Sequence, residues 1–474
     1  MNNSRTAAEN TSPFLTEPVG RLLWKNAAPA VSAMLVFALY QIVDGMMVGR
    51  RLGPDALAAV NIIYPVIALF VGLAVMIGVG GNARIAVLMG AGKTHEARRV
   101  LALLVVLGAL LGSAGTGVVL LMGEALTTAL GAEQEVKRLA LVYLGTMAPF
   151  FGAYILSFIL EQAARNDGKP GLAGAVMGGT AVLNIGLDYL FLFVLDLGIG
   201  GAALASGLSI SLGASIYVGY FLLKRLQRQN GLRFARPTFD PATMRAIVAN
   251  GSSELFSALA LGIITLLFNR SLMHHIGSLG VAAFAMSQYL LMLGAVFFNG
   301  LSAGAQPILG YNCGAGATER VRGTLIRLLG AGLVVSCALV VVGRAAAGGL
   351  AALFVPDHPE AVTLARTAMR VVAWSMIPAS VGTLAAGFFT SIERPAISLM
   401  IAAGRALVLP GIALALLPAL FGGEVIWWVP VAAEAAAALL AGGTLARWSV
   451  GREVNREPAG LVVSLEPATD LLGQ

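Results

Sequence analysis

"KRLQRQNGLRFARPTFDPATMR", residues 224–245, is the longest polar interruption between the apolar runs of this chain. Its reading decides the fold. A helix that crosses a bilayer needs about 20 predominantly apolar residues. Counting outward from the stretch, six such runs precede it, at 26–49, 56–83, 99–122, 138–160, 170–195 and 199–223. Six more follow, at 246–273, 281–309, 324–350, 366–390, 395–420 and 426–448. Six and six around a polar divider predicts an all-α integral membrane protein, with twelve transmembrane helices in two pseudo-symmetric six-helix lobes. The expected division is an N-terminal lobe over 1–223, a cytoplasmic linker over 224–245, a C-terminal lobe over 246–448 and a cytoplasmic tail over 449–474.

Composition agrees. Of 474 residues, 58% are hydrophobic and 12% charged, against roughly 25% charged in soluble proteins. Mean hydropathy is +0.83. The 58 glycines suit helices that approach closely in lipid. The net charge of +7 sits in short loops without interleaved aromatics, which excludes a nucleic-acid partner and fits the retention of Lys and Arg on the cytoplasmic side. With the N-terminus inside, 23 of the 31 Lys and Arg residues fall inside and 8 outside, so both termini are expected in the cytoplasm. Residues 1–24 are polar and the first apolar run is too long for a cleavable leader. Cys313 and Cys337 lie in or beside apolar runs, with no metal spacing.

The halves repeat. "RRLGPDALAAVNI" (50–62) lies over "HHIGSLGVAAFAM" (274–286), and "GGNARIAVLMGAG" (80–92) over "GAQPILGYNCGAG" (304–316), both 224 residues apart. "RNDGKPGLAG" (165–174) echoes "TSIERPAISL" (390–399), with Pro170 over Pro395. An even number of spans between equivalent points makes the repeats parallel, related by an axis along the membrane normal. Two such lobes around a central site imply alternating access.

Several motifs have plainer readings. "GAGKT" (90–94) resembles the tail of a phosphate-binding loop, but Val87 stands where the leading glycine belongs, so it is a tight loop between helices. His274 and His275 diverge around a helix and read as a solvated pair. Glu161 and Arg165, one turn apart, read as a structural ion pair. Trp427 and Trp428 read as an interfacial aromatic belt. No zinc pattern, nucleophile elbow or Ser/His arrangement supports an enzyme.

The acids inside apolar runs differ. An Asp at mid-membrane costs about 2.5–3.5 kcal/mol on insertion scales, so its default reading is functional. Asp44 and Asp188 are deep, and Glu254 and Glu434 are further intramembrane acids. Glu254 is expected about two turns into its helix. Across the repeat Asp44 falls on Phe268, and Asn184 and Asp188 fall on Leu409 and Ala413. The scaffold is therefore built once without these groups, which makes them a one-sided site in the N-terminal lobe. Asn184 and Asp188 are one turn apart, Tyr40 is one turn before Asp44, and Ser206 opens a small-residue face on the sixth span. Asp44, Asn184, Asp188 and Ser206 form a hard-oxygen set able to hold Na⁺, or a proton on one of two neighbouring acids. Gln288, Asn299, Gln306, Asn269 and Glu254 are candidates for lining a substrate cavity from the C-terminal half.

At these residues the sequence resembles the multidrug and toxic compound extrusion (MATE) family, bacterial branch. The resemblance runs from about Trp24 to Trp448. It is carried by "IVDGMMVGRRLGPDALAAV", "GAGKTHEARR", "RNDGKPGLAGAVMGGTAVLNIGLDYLFL", "GIGGAALAS", "AGAQPILGYNCGAGATERVR" and "GFFTSIERPAIS". It implies two V-shaped lobes and secondary active antiport, with cationic amphipathic drugs or toxic metabolites exported in exchange for H⁺ or Na⁺. It also implies a cation site at Asp44, Asn184, Asp188, Ser206 and Tyr40. One branch uses an acid in the seventh span, where Ala258 stands here with Glu254 about a turn away. No cofactor beyond the coupling ion is expected. The expected setting is a monomer among the lipids of the bacterial cytoplasmic membrane. The alternative is a flippase for a lipid-linked substrate of the same superfamily, which usually needs a basic central cavity.

Overall fold

The computed structural model describes residues 12–354 and 359–450. Among them, twelve helices are long and apolar enough to cross a membrane. In the first half these are α1 (Val19–Leu52), α2 (Ala58–Gly90), α3 (Thr94–Ala129), α4 (Gln134–Asn166), α5 (Pro170–Val194) and α6 (Gly198–Leu226). The second half contributes α7 (Pro241–His275), α8 (Leu279–Gly314), α9 (Thr318–Leu350), α10 (Val362–Ser391), α11 (Pro395–Phe421) and α12 (Gly423–Trp448). The tail expected from residue 449 falls outside the described residues beyond Val450.

Most helices outrun the apolar stretches that betray them. Their polar end turns still satisfy backbone groups within the helix, so they continue past the lipid. α7 begins at Pro241, with Asp240 capping it: its carboxylate accepts from the Ala242 and Thr243 amides at 3.2 and 2.9 Å. Glu254 therefore lies 13 residues, about 20 Å, along α7, deeper than the two turns expected from the sequence.

The repeat is visible in the backbone. α3 and α9 start 224 residues apart, at Thr94 and Thr318. α5 and α11 start 225 apart, at Pro170 and Pro395, as do α6 and α12, at Gly198 and Gly423. α4 and α10 each break into a 3-10 turn, at Ala148–Phe150 and Ala373–Ser375, again 225 apart.

The lobes are joined at the end of the molecule that carries the α2–α3 and α8–α9 loops. There α2 runs against α7 and α8, and α1 against α8. The crossing is backbone on backbone. A Cβ built on Gly90 would lie 1.9 Å from the Tyr311 carbonyl oxygen, and one on Gly314 would lie 1.9 Å from that of Val87. Gly251 would meet the Met76 carbonyl at 1.9 Å in the same way. Gln306 donates across the seam to the Val79 carbonyl at 3.2 Å. Arg84 Nη1 of α2 meets Glu393 Oε2, between α10 and α11, at 2.9 Å, with the two side chains only 9% and 7% exposed. Burial pushes the Glu393 carboxyl up from its usual value, against the pull of Arg84.

Packing moves the lobe boundaries away from the sequence halves. Phe14, Leu22, Leu23 and Ala27, ahead of and within the first turns of α1, sit in the core of the C-terminal lobe beside Leu301, Phe388 and Trp448. Reciprocally, Ile247 of α7 sits in the N-terminal core beside Met76 and Ile159. The 224–245 linker is not free polar chain. Leu232 is fully buried, its amide donates to Asp167 Oδ1 at 2.8 Å, and Arg98 Nε donates to the Gly231 carbonyl at 2.8 Å.

Candidate functional site

α5 positions the first pair of side chains. Pro170 opens it, and a regular helix runs to Tyr189, so Asn184 and Asp188 share a face. The backbone then widens into a π-helical turn over Leu190–Val194, immediately after Asp188. Asp188 and Asn184 are buried inside the N-terminal lobe. The amide of Asn184 is oriented by its neighbours. It donates to Asp188 Oδ2 at 3.0 Å and accepts from the backbone N–H and hydroxyl of Ser206, each at 3.2 Å. This brings α5 and α6 together at the residues read from the sequence.

α1 supplies the rest. Asp44 faces Asp188, so the two carboxyl groups are close neighbours in the interior of the lobe. One oxygen of each, Asp44 Oδ1 and Asp188 Oδ1, is buried without a hydrogen-bond partner among the described residues. Buried polar atoms of this kind call for an explanation. An all-oxygen donor set with two open carboxylate oxygens suits a proton or a hard monovalent cation. Among the described residues, no three His, Cys, Asp or Glu side chains group as a transition-metal site would need.

The cluster borders a cavity of about 100 Å³ lined by α1, α4, α5 and α6. Tyr40, Tyr154, Glu161, Asn184, Ser206 and Tyr217 are among its lining residues. Tyr40 stands edge-on to Phe37, with ring centroids 5.0 Å apart. Glu161 does pair with Arg165, Nε to Oε1 at 3.1 Å, but its carboxylate also faces this cavity. The sequence showed the i, i+4 pair and not the hollow beside it, because the hollow is made by three other helices.

A second, larger space of about 640 Å³ opens between the lobes. Gln41, Ile42, Gly45, Met46 and Gly49 of α1 line it, facing Tyr289 and Met292 of α8. α1 is thus one wall with two sides. Phe37 and Tyr40 face the N-terminal cavity, and Gln41, Ile42, Gly45, Met46 and Gly49 face the cleft.

The five polar candidates from the C-terminal half scatter. Gln306 is buried in the lobe seam. Glu254 lies within electrostatic reach of Arg405. Asn299 is exposed on α8, Gln288 is half-buried beside Tyr289, and Asn269 is half-buried on α7. His274 and His275 are exposed, with rings 4.8 Å apart. The aromatic belt expected at Trp427 and Trp428 needs correction. Trp428 is 48% exposed, whereas Trp427 is 5% exposed and packs in the core with Phe268 and Leu414. Adjacent residues of this 3-10 turn point about 120° apart, so one of the pair turns inward.

The family model described as MatE matches the chain twice, over residues 29–190 and 255–416. The multidrug export protein MepA of Staphylococcus aureus strain MSSA476 is 28% identical over 436 residues, covering 90% of this chain and 94% of that protein. MepA of Staphylococcus saprophyticus is 28% identical over 289 residues, covering 60% and 63%. Among solved structures, a multidrug resistance MATE family transporter in an outward-facing conformation superposes with a TM-score of 0.85 at 23% identity, covering 92% of this chain and 97% of its own. A MOP superfamily transporter from Pyrococcus furiosus superposes at 0.86 and 22% identity, covering 94% and 98%.

Proposed function

Because the chain belongs to the MatE family, whose model fits each of its halves, we propose that it exports cationic, amphipathic drugs or toxic metabolites across the bacterial cytoplasmic membrane in exchange for H⁺ or Na⁺. Full-length similarity to staphylococcal multidrug export proteins supports the substrate class. The observation that carries the exchange is the double-sided wall of α1: Asp44, facing Asp188, belongs to the same helix whose Gln41, Ile42, Gly45, Met46 and Gly49 line the cleft. Protonation of these carboxylates, or binding of Na⁺ between them, neutralises charge in a low-dielectric setting, and α1 then repacks against α5 and α6. Gly45 and Gly49 place no side-chain bulk in the way.

In this reading both termini are cytoplasmic, the joined end of the lobes faces the cytoplasm, and the cleft faces outward. The transporter works as a monomer by alternating access. The seam at Gly90 and Gly314 opens as the cleft at Gln41 and Tyr289 closes. The test is substrate efflux from proteoliposomes with a pH gradient and a Na⁺ gradient imposed separately. Efflux driven by either gradient and absent without one is expected. Equal efflux in all three conditions would overturn coupling.

A further inference from the structure

The two lobes hold the same interior position and fill it differently. The helix starts at Pro170 and Pro395, and at Gly198 and Gly423, fix an offset of 225 between the lobes. On that register Ser157, Thr180 and Ser209, three residues that line the N-terminal cavity, correspond to Gly382, Arg405 and Glu434. In the C-terminal lobe Arg405 Nε donates to Glu434 Oε2 at 2.9 Å. The room is made by Gly382, where a Cβ would lie 3.2 Å from Arg405 Cδ and 3.8 Å from Glu434 Oε2. Around Arg405 the backbone widens into a π-helical turn, Gly404–Val408, whereas the corresponding stretch of α5 is regular helix. Such turns mark side chains held in special positions. Glu254 of α7 lies within electrostatic reach of the same guanidinium.

We propose that Arg405 is a resident cation: a tethered guanidinium occupies, in the C-terminal lobe, the position that the N-terminal lobe keeps hollow beside its site for an exchangeable ion. A guanidinium stays charged at any physiological pH and cannot leave. The C-terminal site is therefore permanently filled, and that lobe does not answer the ion gradient. The contrast with an exchangeable ion rests on the cation site proposed above, while the filled site in the C-terminal lobe stands on its own geometry. Its carboxylates, once uncovered, bind a free guanidinium-class cation.

The test needs no gradient, so it fails or succeeds independently of the transport reading. Arg405→Ala is purified in detergent and its thermal unfolding is followed with about 10 mM methylguanidinium or with equal KCl. Arg405→Met, which keeps the volume of the stem, serves in the same assay if the alanine variant does not fold. The variant is expected to unfold below the wild-type temperature and to regain about 2 °C or more with methylguanidinium but not with KCl. The wild type, and a double variant that adds Glu434→Gln, should not respond. A folded single variant indifferent to methylguanidinium, or a double variant that responds equally, would overturn the proposal.

Discussion

Replacing Asp44 by Asn keeps the size of the side chain and most of its hydrogen-bonding capacity, and removes only its ability to change charge. Asp44→Asn should leave the thermal stability of the purified protein equal or higher, since a buried charge carries a desolvation cost. Gradient-driven efflux in proteoliposomes should fall to the level of empty vesicles. A variant that is stable and still exports at the wild-type rate would reduce Asp44 to a packing residue. Residues of this kind are the ones a sequence displays. A carboxylate inside an apolar run is expensive, and its absence from the other half marks it as dispensable to the scaffold. Asp44, Asn184, Asp188 and Ser206 were legible for that reason, and the structure brings them together. The partnership of Arg84 with Glu393 was not legible, because 309 residues separate them. Nor was that of Arg405 with Glu434, since no periodicity links two different helices.

Helix ends carry the next level of information. α4 and α10 terminate alike, with a left-handed residue just past the end: Gly168 at φ +76° and, 225 positions later, Glu393 at φ +56°. Glycine adopts this conformation freely, whereas glutamate is strained there by about 1 kcal/mol. Glu393 keeps the strained position and holds Arg84 across the seam. Glu393→Gly would relieve that strain but remove the carboxylate from a buried ion pair, a loss of about 3–5 kcal/mol in comparable pairs. The net expectation is a lower unfolding temperature, against the usual rule that glycine suits this position. A rise would show that the pair contributes little. At the start of α7, the Thr243 hydroxyl, followed by the Thr243 and Ala242 amides, holds the Asp240 carboxyl below the usual aspartate range. Its stabilising contribution is therefore present above pH about 4 and lost as pH falls through the depressed value. Asp240→Ala should lower the melting temperature at pH 7, with the gap to wild type narrowing under acid. A gap that stays constant with pH would show that the carboxylate's charge does not matter. Element existence and order were readable because apolar runs are long. Element ends were not, since polar end turns look like loop.

At the scale of the whole molecule, the seam between lobes depends on residues without side chains. Gly251→Ala places a methyl group against the Met76 carbonyl, where the native contact leaves no room. The joined end should loosen and the opposite cleft should narrow. Spin labels at positions 137 and 366, near the starts of α4 and α10, would read the change in a background lacking Cys313 and Cys337. A shorter label distance than in the parent is expected. An unchanged distance would show that the crossing tolerates extra bulk and does not set the conformation. The twofold plan of the molecule was legible from the 224-residue repeat. The exchange of packing between halves, with Phe14 and Leu22 in one core and Ile247 in the other, was not. It follows from where helices cross in space, and hydropathy along the chain is blind to that.

The double-sided wall of α1 also bears on how resistance can evolve. A substitution selected at Gln41, Ile42 or Gly45 for a wider range of drugs sits within one helix diameter, about 10 Å, of the paired carboxylates. Bulk added on the cleft face presses on the helix that carries Asp44. Broadened export and a loosened grip on the ion are then two results of one mutation. Strains that gain the first should leak membrane energy and grow more slowly when no drug is present. Compensating changes should appear on the α5 and α6 faces around Asn184 and Ser206, on the far side of α1 from the cleft.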